Sequence, residues 1–538
     1  MSRRTLRTRL AVGLVASTLL LTGCASSDDS PESNKTPTEK TVEEMTSGLV
    51  NVDDSGSPVK GGVLRIGEYS EARSLDPTKT YSNGAAGGSA LLAIYDSLMA
   101  YNWEDGTYEP RLAESLSTDD NTTWTLKLRE GVKFTDGTDL DAAAVAGSIG
   151  YYLKSYGYNF MTWASNVADM KVVDKTTIEF TTRFPWATFP NMLAHGPGLV
   201  MAPAAYKNPE KFQPIGAGPF VLDDYKPTEK LVLKANEDYF GGRPNLDALE
   251  FSWPGGDTAK VESLAAGDLD TAYLRDTKSV TEAMDEGKAT GMRFVVGGGS
   301  NLWINQREGR PGAMPEVRQA LNLAWDPKRY MDRVGEDSSL ATKSLLPKTS
   351  PWYTGVEPQA ADLDKAKELV DAAKKKGFDG KIQLLHFADA SATQSATALK
   401  GMLDQAGFEV QLKALKSVAD QIQAMYVTHD FDLAFSALSI GDEDPYLRLH
   451  GVTTPNSPTN TSGMDNKEIA AALTELAAAS GPEDGVAALT KVEELWQADV
   501  PALNESSGIV FLPFADNVHG IVPTSETMMF YDKAWVTQ

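Results

Sequence analysis

Residues 381–435 constrain the fold more than any other stretch. Lys381-Ile382-Gln383-Leu384-Leu385 is a short apolar-rich run of strand length. Thr393 to Ala406 then places Ala396, Leu399, Leu403 and Ala406 on one helical stripe, with Gly407 as its stop. Phe408, Val410, Leu412 and Ala414 alternate with Glu409, Gln411 and Lys413, the period of a second strand. Val418 to Thr428 predicts a second helix and Asp430 to Phe435 a third strand. Strand, helix, strand, helix, strand requires right-handed crossovers and a parallel sheet. Ligands of such sheets bind beyond the carboxyl ends of the strands. The loops His386 to Gln394 and Ser436 to Pro445 are therefore expected on one rim.

The chain has 538 residues, more than one hydrophobic core usually serves, so two or more domains are expected. Formal charge is −24, and Arg3, Arg4, Arg7 and Arg9 stand ahead of Cys24 with no acid, so the remainder is more acidic still. A chain so acidic repels nucleic-acid phosphates, which argues against DNA or RNA as a partner. Cys24 is the single cysteine, which excludes an intrachain disulfide and leaves no other thiol nucleophile. Met1 to Cys24 joins the basic start to an apolar run from Leu10 to Leu21, the layout of a secretory signal and too short for a lasting bilayer span. Ala25 to Pro58, rich in Ser, Thr, Asp, Glu, Asn and Pro, predicts a flexible tether.

Order is expected from Gly61-Gly62-Val63-Leu64-Arg65-Ile66-Gly67, a short strand. Trp124, Leu126 and Leu128 alternate with polar residues as a half-buried strand, and Asp139 looks like the cap of the helix carrying Val145, Ile149 and Tyr152. Val172 to Phe180 reads as a hairpin. Gly216-Ala217-Gly218-Pro219 predicts a tight turn, followed by strands at Phe220-Val221-Leu222 and Leu231-Val232-Leu233 joined through Lys226-Pro227. Tyr239-Phe240-Gly241-Gly242 and Leu249-Glu250-Phe251 complete this stretch. Its order of pieces closely resembles the signature of the extracytoplasmic solute-binding proteins of peptide/nickel-type ABC importers, the family 5 solute-binding lipoproteins. Further blocks resemble the same family: Ser74-Leu75-Asp76-Pro77, Ile94-Tyr95-Asp96-Ser97-Leu98, Glu109 to Leu116, Trp124 to Gly137, Val261 to Asp270 and Val317 to Asp326. Leu21-Thr22-Gly23-Cys24 resembles a bacterial lipobox, which implies acylation of Cys24. Ser2 to Leu6 also resembles a twin-arginine signal, so export by either route stays open.

The resemblance implies an α/β, two-lobed periplasmic-binding-protein-like fold with an additional small domain inserted in the first lobe. It implies a signal peptide at 1–23, a tether at 24–58, lobe 1 from 59–90, 204–300 and 512–538, the inserted domain at 91–203 and lobe 2 at 301–511. Closure is expected about crossing segments near Asn301 to Asn305 and Phe511 to Asp516. The implied activity is capture of a small solute, most readily a peptide, for delivery to ABC permease and ATPase subunits. The implied location is outside the cytoplasm, on the cell membrane, as a lipid-anchored monomer. In the family loop that resembles Ser439 to Pro445, an aspartate pairs with the peptide α-ammonium. That aspartate usually stands four residues before the proline, where this chain has Gly441, and Asp442 stands three before it. Asp442 and Ser439, with Trp303, Asn305, Tyr81, Asn83 and Phe387, are the candidate ligand contacts.

Nothing in the sequence asks for catalysis. It has no G-x-S-x-G elbow, H-E-x-x-H pair or Walker loop, and its five histidines, His195, His386, His429, His450 and His519, show no i, i+4 pair. No cofactor or metal is expected on that pattern, although nickel and haem carriers occur in the family resembled. Two other functions fit the same reading: a secreted hydrolase on a binding-protein scaffold, and a solute-sensing lipoprotein of the cell envelope.

Overall fold

The computed structural model describes residues 45–53, 56–284 and 289–537. Cys24, the signal at 1–23 and the tether as far as residue 44 lie outside the described residues. No helix among the described residues is long and apolar enough to cross a membrane.

The first strands are β1 (Gly48–Val50) and β2 (Val63–Gly67), followed by the hairpin β3 (Met99–Asn102) and β4 (Thr107–Pro110). Next come β5 (Ala113–Ser117), β6 (Thr123–Leu128), β7 (Val167–Val172) and β8 (Thr177–Thr182), an antiparallel sheet ordered β5-β6-β8-β7. In β6 the expected alternation holds, with Trp124, Leu126 and Leu128 buried. They pack with Phe180, Phe189 and Trp163. The remaining large strands are β9 (Phe220–Lys226), β10 (Lys230–Ala235), β11 (Ala248–Ser252), β12 (Thr271–Ala272), β13 (Thr290–Ile304), β14 (Lys381–Phe387), β15 (Glu409–Leu415), β16 (Leu433–Ser436) and β17 (Ala502–Phe514). With β1 and β2 they make one eleven-stranded sheet, ordered β15-β14-β16-β13-β17-β12-β2-β11-β10-β9, with β1 on β13.

That order has two halves. β14 runs parallel to both β15 and β16, as the strand–helix alternation predicts. β2 runs parallel to β11 and β12 in the other half. Joining them are β13 and β17, an antiparallel ribbon whose register runs from Thr290↔Phe514 to Trp303↔Ala502. The ladder breaks between Val296 and Asn301, at Gly297-Gly298-Gly299. Gly298 is left-handed at φ +58, and a Cβ on Gly297 would collide with the Leu345 carbonyl. The break is used: Leu438, Ser439 and Ile440 donate their backbone N–H groups to the carbonyls of Gly297 and Gly298. It is thereby tied to the loop that follows β16.

Several expectations are corrected. The end of the tether is ordered: β1 pairs with residues 291–293 of β13, and Met45 is buried with Leu269, Leu274 and Phe511. Three ladder positions and one apolar anchor stabilise a segment whose composition alone predicts disorder. The helix Ala142–Lys154 is capped by Asp141, which accepts from the Ala144 N–H, while Asp139 pairs with Lys133 and Lys175. The helix expected at 418–428 is α-helical only over Val418–Ile422 and widens to a π-helical turn over Gln423–Val427. Gly216 and Gly218 have ordinary φ; their small size matters because a Cβ on either would strike the carbonyls of Ile94 and Ala93 in the helix Gly88–Tyr95.

Candidate functional site

Three loops and a turn converge on the break in the ribbon. The loop 439–444 leaves β16 and enters the helix Pro445–Thr453. Asp444 caps that helix by accepting from the N–H groups of Tyr446 and Leu447, with Pro445 at its first position. Asn191 also donates to Asp444, whose carboxyl burial pushes up to about 6. The helix carries Arg448 toward the ribbon. Facing it from the other half of the sheet are the loop 81–85, the segment 273–277 after β12 and the turn 524–528.

Two cavities lie here. The smaller, about 190 Å³, is bordered by Trp103, Tyr273, Phe294, Asp442, Glu443, Glu526 and Ser507 among others. The larger, about 400 Å³, is bordered by Tyr81, Tyr158, Trp303, Tyr426, Leu447 and Arg73 among others. Asn83, Ala85, Arg275, Ser439 and Arg448 border both, so the cavities adjoin.

Charge is concentrated at their divide. Arg448 Nη2 donates to Glu526 Oε2 at 3.2 Å, and its guanidinium lies 4.9 Å from the Tyr81 ring centroid. Tyr81 Oη donates to the same Glu526 oxygen at 2.8 Å. Burial opposes the charge on Arg448, but Tyr81, Glu526 and Glu443 more than offset it and its pKa is raised. Glu443 Oε1 accepts the Glu526 N–H at 2.7 Å, and burial, then the Glu526 charge, push the Glu443 carboxyl up to about 8. Glu526 and Thr527 both hold left-handed φ, +57 and +58, and Ser439 holds +55. Non-glycine residues in that region store strain, which clusters at ligand sites. The Gly84 N–H to the Glu526 carbonyl fastens the turn.

The sequence-predicted residues divide sharply. Tyr81, Asn83 and Ser439 border the cavities, and Asn83 Oδ1 is buried with no hydrogen-bond partner. Trp303 borders the larger cavity but is mostly core, edge-on to Trp496 at 6.0 Å. Asn305 is outside both: its amide donates to the carbonyls of His429 and Phe431 at 2.9 Å each, so its role is to hold that loop. Phe387 borders a third cavity of about 250 Å³ with His386, Tyr330 and Glu505. The expected single rim is thus split, with loop 386–394 serving one cavity and loop 436–445 the other two.

Asp442 borders the smaller cavity, yet its oxygens are engaged by the chain. Oδ1 accepts from Ser350 at 2.6 Å and Oδ2 from Ser47 at 2.8 Å. Its backbone carbonyl accepts from the Trp352 indole. Burial raises its pKa, and the two serines act against that. Sequence reasoning missed Arg448, Arg275, Arg73 and Glu526. The signal for Arg448 was present: a lone arginine within the otherwise apolar and neutral PYLRLHGVT. His450 is packed among Thr162, Ser165 and Thr454, and burial lowers its pKa to about 4. Among the described residues no group of three or more His, Cys, Asp or Glu could hold a metal.

Comparisons with known proteins agree with this architecture. The structure resembles that of DppA from Helicobacter pylori in complex with the peptide STSA, at TM-score 0.74 and 20% identity, over 89% of this chain and 99% of that one. In sequence the chain is 26% identical over 495 residues to Protein XP55 of Streptomyces lividans, covering 87% of this chain and 86% of the relative. It is 27% identical over 318 residues to the glutathione-binding protein GsiB of Escherichia coli (strain K12), covering 56% of this chain and 60% of that one. The model of the bacterial extracellular solute-binding proteins, family 5 Middle, matches residues 107–460, and the chain belongs to that family.

Proposed function

We propose that this chain captures a small solute, a peptide or peptide-like compound, in the adjoining cavities and hands it to the permease and ATPase subunits of an ABC importer. One observation carries the reading. Polar residues from both halves of the sheet border a shared space at the ribbon, and Asn83 Oδ1, Arg448 Nε and Ser507 Oγ are buried there without partners among the described residues. Buried polar groups left unmet in a native fold call for an explanation, and a polar solute supplies one. GsiB is named for glutathione and the DppA structure holds a peptide, which supports a peptide-like solute. Closure is by rotation about the ribbon, near residues 301–305 and 511–516, between a first lobe of 59–90, 204–300 and 512–538 and a second of 301–511. The small domain at 91–203 rides on the first lobe. Binding and release need no covalent step.

Acylation of Cys24 would hold the body to the membrane as a monomer. In that case Cys24→Ser moves the protein from the membrane fraction into the medium, and continued detergent-only extraction of the variant refutes the anchor. For capture itself, native mass spectrometry of protein purified from its own source should find a bound solute. Small-angle scattering on adding that solute back should show a smaller radius of gyration. Protein that holds no solute and never compacts refutes the reading.

A further inference from the structure

We infer that the solute is recognised through an anionic oxygen group, carboxylate or phosphoryl, held by Arg448, Arg275 and Arg73 in the larger cavity, and not through an ammonium on Asp442. This rests on the solute-capture reading above and names the chemistry of that same site.

Three observations support it independently. Among the described residues the larger cavity is bordered by three arginines and by no aspartate or glutamate. In a chain of net charge −24, a lining with cations alone runs against composition. Next, the arginines retain free donors. Arg448 spends Nη2 on Glu526 and leaves Nε buried without a partner, while Arg73 and Arg275 make no ion pair among the described residues. Arg275 lies against the Tyr69 ring at 4.9 Å, a contact that takes no acceptor from its N–H groups. A planar fork of N–H donors fits the paired oxygens of a carboxylate or phosphoryl group.

Finally, Asp442, the acid expected to receive an ammonium, already has a partner on each oxygen, and its two acidic neighbours are each engaged through one. Asp442 holds Ser47 and Ser350, Glu443 holds the Glu526 N–H, and Glu526 holds Tyr81 and Arg448. An incoming ammonium at Asp442 would compete with two serine hydroxyls already bound there. An incoming anion meets donors that have none.

The test is calorimetry and thermal shift on the full mature chain with citrate, glutathione, glucose 6-phosphate, glucose and spermidine. We expect one or more of the three anions to bind and raise Tm, and glucose and spermidine to do neither. Arg275→Gln should weaken the bound anion by about tenfold or more, as loss of a charge-assisted contact does. Arg275 and Arg73 are exposed, so their variants keep the fold and read the contact alone. Asp442→Asn should leave the same affinity within about threefold, since no ligand charge faces it. Citrate and glutathione binding with no effect from glucose 6-phosphate assigns a carboxylate; the converse assigns a phosphoryl group. Spermidine or glucose binding best, with affinity unchanged in Arg275→Gln and Arg73→Gln and reduced in Asp442→Asn, overturns the inference and leaves solute capture standing. No Tm change with any compound overturns both.

Discussion

Arg111 and Arg448 are almost equally hidden, at 16% and 18% side-chain exposure, and do opposite things with their charge. Arg111 has a partner on every guanidinium nitrogen. Its Nε and Nη2 reach both Asp96 oxygens at 3.0 and 3.1 Å, Nη1 reaches Asp532 at 3.2 Å, and Nη2 also meets Tyr239 at 3.0 Å. Tyr239 closes the circuit by donating to Asp96 at 2.6 Å, and the guanidinium lies 4.1 Å from the Phe530 ring centroid. Among the described residues Arg448 has a single carboxylate contact, at 3.2 Å, and a buried Nε with no partner. Burial therefore does not distinguish a structural charge from a functional one. The number of donors left unmet does, because a buried N–H without an acceptor costs free energy until something arrives to accept it.

The comparison is tested most severely by stability. Arg111→Met leaves Asp96, which has no exposed side-chain surface, without its guanidinium partner. Breaking one partner of such a pair costs about 3–5 kcal/mol, read by urea denaturation of the purified chain. A loss below about 1 kcal/mol would place Arg111 with ordinary surface pairs and end the contrast.

A middle-sized effect comes from pH. The Glu443 carboxyl titrates at about 8 in the folded chain against an ordinary 4.5, so between those values the folded state keeps a proton that the unfolded state has lost. Its contribution to stability is full below about 4.5 and disappears as pH rises through 8. Stability should fall from pH 5 to pH 9, and Glu443→Gln should flatten that fall by roughly 1–3 kcal/mol. A variant with the wild-type slope would show that Glu443 is ionised beside Glu526 throughout.

The smallest effect sharpens the contrast from the other side. Arg448→Gln removes one long carboxylate contact and one unmet donor, so the solute-free chain should lose about 1 kcal/mol or less. Urea curves for this variant and Arg111→Met, run together, give the ratio directly. Equal losses would mean that Arg448 braces the fold as Arg111 does.

Local pattern made some of this legible. The parallel strands β14, β15 and β16 and the alternation in β6 depend on neighbours a few residues away, and both are present. Tyr81, Asn83 and Ser439, picked out because their loops resemble a known arrangement, border the cavities. Asn305 was misread because its partners, His429 and Phe431, are 124 and 126 residues away in sequence, and nothing local distinguishes a loop brace from a ligand contact. Asp442 was read as free for the same reason: Ser47 lies 395 residues before it, in a stretch whose composition predicts no structure. Arg111 and Arg448 are the same letter, and only the three-dimensional count of acceptors separates them.

The strand order also dictates when the molecule can be finished. β17 sits between β13 and β12, so the two halves of the sheet cannot be joined until residues 502–514 are in place. Thr290 waits for Phe514, 224 positions downstream, before its hydroxyl finds the Phe514 carbonyl. Pairings that distant close late, because the loop entropy is lost before any contact compensates for it. A chain emerging from its amino end would thus hold the β13 edge open until nearly its whole length had been released. The ligand-binding space, built around that seam, is among the last parts of the protein to come into existence.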